Sequence, residues 1–109
     1  MNIDPKWSPK HLKEITVLGQ TILIKHRKPK KESHGECDID RRTIELNNNL
    51  RGEFAMRVLI HEAVHAAIRL CGVDYHINEA TEEQICTVME SLVPELIVSL
   101  GPEMEEDDG

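Results

Sequence analysis

Residues Phe54 to Leu70 read FAMRVLIHEAVHAAIRL. The stretch is long enough for about four to five helical turns. Its apolar residues fall on every side rather than along one stripe, the pattern of a helix packed between other elements. It is therefore predicted as the buried central helix. In its middle sit His61, Glu62 and His65, polar side chains where a purely structural helix would carry Leu or Ala. Buried polar groups cost free energy unless something satisfies them. Residues four apart share a helical face, with Cβ atoms roughly 5–6 Å apart, so two imidazoles can converge on one metal ion.

Working outward, the segment before this helix is β-like. Ser8-Pro9 suits an N-cap and first helical position, so residues 9–14 are read as one or two helical turns. Then ITVL from Ile15, Gly19-Gln20 and TILIKH carry frequent β-branched residues with a turn or bulge at Gly19. Pro29 and its lysines force a loop. Gly35 to Asp38 followed by Arg41 to Leu46 reads as a hairpin turning at Ile39-Asp40. The fold class expected is α+β: a small, mainly antiparallel sheet of three to four strands, then the central helix and a second helix. Asn47-Asn48-Asn49 offer caps for the central helix, and Gly72 sits where a glycine would end it.

The second helix is expected from Asn78 or Thr81 to about Leu92, with Pro94 interrupting and a final apolar turn at 96–100. Its apolar positions, Ile85, Cys86, Met89, Leu92 and Val93, define one face. Projected backwards by three or four residues, that face reaches Glu82, whereas Glu83 falls with Thr87 and Glu90 on the polar side. An inward carboxylate needs a partner, and a metal held by His61 and His65 would provide one. Glu79, one turn earlier, is the fallback ligand.

Composition narrows the field. One domain over residues 1–100 is expected, followed by an acidic disordered tail at 101–109. The net charge is −7, and five of the twenty acids lie after Gly101, so the rest is close to neutral. The cluster Lys25-His26-Arg27-Lys28-Pro29-Lys30-Lys31 has the charge to touch phosphate. It reads better as a solvated loop, without interleaved aromatics in a domain that is not basic, so a nucleic-acid partner is not expected. Three cysteines with no close pair make no disulfide framework or zinc knuckle. Cys71 and Cys86 are expected as core residues and Cys37 at a buried strand position. No apolar run approaches the ~20 residues of a membrane span, and the first residues lack the apolar core of a signal peptide. A cytoplasmic protein without a membrane partner is the expectation.

Two imidazoles and one carboxylate are a zinc donor set that leaves a fourth position for water, whose pKa falls to about 7. Glu62 is turned about 100° around the helix from His61 and reaches that water rather than the ion. It would act as general base in hydrolysing a peptide bond of a protein or peptide substrate.

His61-Glu62-Ala63-Val64-His65 matches the HExxH motif of zincin metallopeptidases. With the sheet before it and the Glu82–Pro94 segment after it, the chain resembles the minimal gluzincin-type domains of ImmA/IrrE-like, SprT-like and small phage-encoded metallopeptidases over roughly residues 15–95. The resemblance implies His61, His65 and Glu82 as zinc ligands and Glu62 as catalytic base. After His65 the chain continues Ala66 to Cys71 without the glycine and third histidine of a metzincin, which excludes that subclass. Tyr75 and His76 are the nearest candidates for an additional oxyanion donor. The alternative is a zinc-stabilised adaptor that binds a partner without cleaving it.

Overall fold

The β-branched runs on either side of Gly19 form the first two strands of a computed structural model that describes residues 3–106, with side chains to residue 100. These are β1 (Glu14–Val17) and β2 (Gln20–Arg27). Leu18 and Gly19 join them with φ of 48° and 77°, the pair of positive values that a two-residue hairpin turn needs to match strand twist. A second hairpin follows: β3 (Gly35–Asp38) and β4 (Thr43–Asn47). The sheet order is β1-β2-β4-β3, with both hairpins antiparallel and the seam between β2 and β4 parallel. The architecture is α+β as expected, but the sheet is mixed, because β4 rather than β3 inserts beside β2.

Period-two alternation places the core. On β2, Ile22 and Ile24 are buried while Leu23 and Lys25 are exposed. Ile44 and Leu46 of β4 join them against Leu50 and Ala55, Val58 and Leu59 of helix α1 (Gly52–Leu70). Each large aliphatic side chain buried there contributes roughly 1.5–3 kcal/mol. α1 packs on this sheet with one flank and on α2 (Glu79–Glu106) with the other.

Several local expectations are corrected. The helical segment after Ser8 is a single 3₁₀ turn, Pro9–His11, and Glu14 already belongs to β1. The asparagines do not cap α1: the cap position is Arg51, with no side-chain cap bond. Asn47 is instead the buried end of β4, where its amide donates to the carbonyls of Lys30 and Ser33 and accepts from Arg27 Nε. Gly72 does lie just past α1, at φ 79°. Pro94 does not interrupt α2, which runs on to Glu106. Its ring is buried, so packing offsets part of the missing hydrogen bond. The acidic tail expected from residue 101 thus begins as the last turns of α2, and residues 107–109 lie outside the described residues. Cys71 is exposed, Cys86 fully buried, and Cys37 half-buried; all three are free thiols. Among the described residues, no helix is long and apolar enough to cross a membrane.

Candidate metal centre and cleft

The i, i+4 spacing on α1 brings the rings of His61 and His65 to 5.0 Å between centroids. α2 crosses them with three carboxylates. Glu83 divides its two oxygens between the rings: Oε1 contacts His61 Nε2, and Oε2 lies 3.2 Å from His65 Nε2. The outer nitrogens meet other acids, His61 Nδ1 at 3.1 Å from Glu90 Oε1 and His65 Nδ1 at 2.5 Å from Glu82 Oε2. A neutral imidazole donates from one nitrogen only. With a carboxylate oxygen on all four nitrogens, each ring needs one proton or other cation beyond its single N–H to satisfy both contacts.

Glu82 is buried, as its phase on the helix predicts, but it addresses the far side of His65 rather than the space between the rings. Arg69 Nε donates to the same Glu82 oxygen at 3.2 Å, and Arg69 Nη1 donates to the Cys37 carbonyl of β3 at 3.1 Å. One guanidinium therefore ties α1, α2 and β3 together behind His65. Glu83 is exposed, as expected, with its side chain 55% accessible, yet its carboxylate also touches both histidines, which the sequence did not suggest. The cause lies in the choice of face. Ile85 and Leu92 are exposed, and the inward side of α2 runs through Glu82, Cys86, Glu90 and Pro94, which brings Glu83 to the edge of the centre. Glu79 is exposed at the start of α2.

Sequence reasoning took Cys86 only as core. Its Sγ lies within 4.8 Å of the ligand atoms of both histidines, so that His61, His65 and Cys86 form a group able to hold a metal ion. The signal was available, since Cys86 lies three residues after Glu83, on the same side of α2. Burial pushes its thiol up to about 12, helped by the charges of Glu83, Glu82 and Glu62.

Glu62 is buried beside the rings, and burial raises its pKa above the ordinary carboxylate value against the opposing charges of His65 and His61. For His61, burial disfavours the charged ring, but hydrogen bonds to Glu90 and Glu83 outweigh it and the pKa is raised. Cys37, across the cleft, is pushed up to about 11 by burial, with Arg69 opposing. The cleft holds about 600 Å³ between α1 and residues 32–37. Neither Tyr75, which is 86% exposed, nor His76 lines it, so the proposed oxyanion donors are not brought to the centre. β3 forms its wall and is the outer strand of the sheet, paired only with β4. A Cβ at Gly35 would lie 3.1 Å from the Glu45 carbonyl and 3.2 Å from Glu62 Cγ. The missing side chain lets the strand approach the helix beside Glu62.

Compared with known proteins, the chain matches no family model, no curated protein and no solved structure. Its function is therefore argued from the centre itself. Four carboxylates, Glu62, Glu82, Glu83 and Glu90, surround two imidazoles, with Arg69 as the guanidinium among them. Imidazole, carboxylate and thiol are the donor types of zinc sites. The residues present fit a divalent ion.

Proposed function

We propose that the chain is a zinc-dependent peptidase of the HExxH type, with His61, His65 and Glu83 holding the metal and Glu62 as general base. The observation that carries this is the Glu83 carboxylate shared between the Nε2 atoms of both histidines, with Glu62 buried next to them. Glu82, which the sequence favoured as ligand, becomes the residue that fixes His65. By accepting from Nδ1 it leaves Nε2 free to bind, and Arg69 holds its carboxylate in place.

When bound, zinc supplies a Lewis acid and a water acidic enough to be deprotonated near neutral pH. Glu62 takes the proton from the attacking water and returns it to the nitrogen of the leaving chain. A pKa raised by burial suits a carboxyl that must both accept and give a proton. The free edge of β3 offers backbone groups to an extended peptide laid along the cleft.

Glu62→Gln keeps the side chain's shape and removes its basicity. It should retain zinc while cleavage of a protein substrate falls about 10²–10⁴-fold, measured on substrates recovered by mixing the zinc form with lysate. Equal cleavage by both forms rejects the mechanism. Cys86 supports one second reading, a zinc-stabilised adaptor, because a fourth protein ligand would close the site to water. Cys86→Ser separates the two: zinc retained with cleavage intact favours the peptidase, and zinc lost favours the adaptor.

A further inference from the structure

Beyond His34 and Phe54 the cleft does not end. A second cavity of about 620 Å³ adjoins it, and these two residues line both. Their rings meet edge to face at 4.9 Å and form a post between the two chambers. The chambers have opposite charge. Five glutamates, Glu32, Glu36, Glu62, Glu83 and Glu90, line the first beside Arg69 and the two metal-site histidines, whereas Lys30, Lys31 and Arg51 line the second, with no carboxylate among its lining residues.

The positive chamber is built rather than accidental. Buried Asn47 holds the loop that carries the lysines through the Lys30 N–H and the Lys30 and Ser33 carbonyls. Arg27 braces the same loop by donating to the Ser33 carbonyl and to Asn47 Oδ1. Arg51 spends its guanidinium on the carbonyls of Asn48 and Leu50 and the Ser8 hydroxyl, all uncharged partners, so its charge is not neutralised. Lys30 reaches Glu36 only at 3.6 Å, with both side chains more than half exposed, a pairing of little strength.

We propose that this chamber is a specificity subsite for acidic side chains, so that the preferred substrate is a peptide with a run of Asp or Glu a few residues to one side of the cleaved bond. The inference rests on the peptidase reading for its substrate but not for its binding. A nucleic acid fits less well. Its charge repeats along its whole length and would continue into the carboxylate-lined chamber, whereas a peptide carries acid at one end alone. The post offers two exposed rings, His34 and Phe54, that meet each other edge to face, too little to stack successive bases.

The test uses the zinc-loaded Glu62→Gln protein and fluorescein-labelled short peptides with glutamates at the amino end, at the carboxyl end, replaced by glutamine, or replaced by lysine. Anisotropy at low salt should show tightest binding for one glutamate peptide, weakening steeply as salt is added. The ring signals of His34 and Phe54 should shift on titration. Lys30→Glu with Lys31→Glu should weaken that peptide at least about tenfold at unchanged zinc content. Lys31→Gln alone, a milder surface change, should weaken it less. Equal affinity for the glutamate, glutamine and lysine peptides overturns the proposal, as does unchanged binding by the double variant or tighter binding of a single-stranded oligonucleotide. If Glu62→Gln cleaves as fast as wild type while these binding results hold, the peptidase mechanism fails and the acidic subsite stands.

Discussion

The two flanks of α1 are closed by different physics. Toward the sheet, Ala55, Val58 and Leu59 meet Ile22, Ile24, Ile44 and Leu46, and among the described residues this hydrocarbon cluster contains nothing from α2. Toward α2, the same helix offers His61, His65 and Arg69 to Glu82, Glu83 and Glu90. The first contact is non-directional and independent of any ligand. The second is an assembly of charges that repel one another unless cations stand between them. The sheet and α1 hold themselves largely by hydrocarbon, whereas α2 adds the charged contacts of the centre to its packing on α1 around Cys86 and Pro94.

The largest test of that division is metal removal. Stripping zinc, or the His65→Ala change, should release amide protection across residues 79–93 while β2 and β4 stay protected, read by hydrogen exchange. Uniform loss of protection, or none, would show that the two flanks are not separable. Next in size, Ile44→Ala should cost about 2–5 kcal/mol in chemical denaturation of the zinc-loaded protein, with metal stoichiometry intact. Retained stability would mean that the sheet side is not the anchor.

Within the polar flank, Glu83→Ala should lose more zinc affinity than Glu82→Ala, and the latter should still lose about 10–100-fold by freeing His65. Competition with a chromophoric chelator measures both. The reverse order would return the ligand role to Glu82 and the orienting role to Glu83. The smallest effect is on pH. In the metal-free protein, folding favours charged His61, so its contribution is complete below 6.5 and lost as pH rises through the higher folded value. Buried Glu62 acts in the same sense, because folding favours its protonated form above 4.5 until it ionises. The metal-free melting temperature should therefore fall from mildly acidic to alkaline buffer. With zinc, whose ligands must be deprotonated, it should rise over the same interval, and parallel slopes would contradict the assignment.

This division also explains what could be read in advance. Strands and the central helix were legible because the β-branched residues of TILIKH suit a pleated strand and the all-round apolar pattern of Phe54–Leu70 follows from burial. His61, Glu62 and His65 were legible for the same reason, as polar residues in an apolar helix. The phase of α2 was legible only in part: Glu82 and Cys86 are buried as read, but Glu83 also reaches the histidines. Its apolar residues are not spent on the core: Val88 is 61% exposed, Ile97 59% and Leu92 39%. A face chosen by hydrophobicity therefore pointed away from Glu83. The role of Asn47 was hidden too, since a short polar side chain suits a helix cap as well as a loop staple, and only the position of residues 30–33 decides between them. Pro94 illustrates a tertiary override of a local rule, with burial offsetting part of the loss of its N–H.

The parallel seam between β2 and β4 has a kinetic consequence. Both hairpins are made of neighbours in sequence and close quickly, but Leu23 meets Thr43 only after the whole β3 segment has been looped out. The cleft wall, β3, travels with β4 as one unit. The chambers on either side of His34 and Phe54 should therefore be completed only when the second hairpin and α1 dock against β2. Changes that slow this docking, such as loosening the Asn47 staple, should delay the appearance of a metal-competent centre without altering the hairpins themselves.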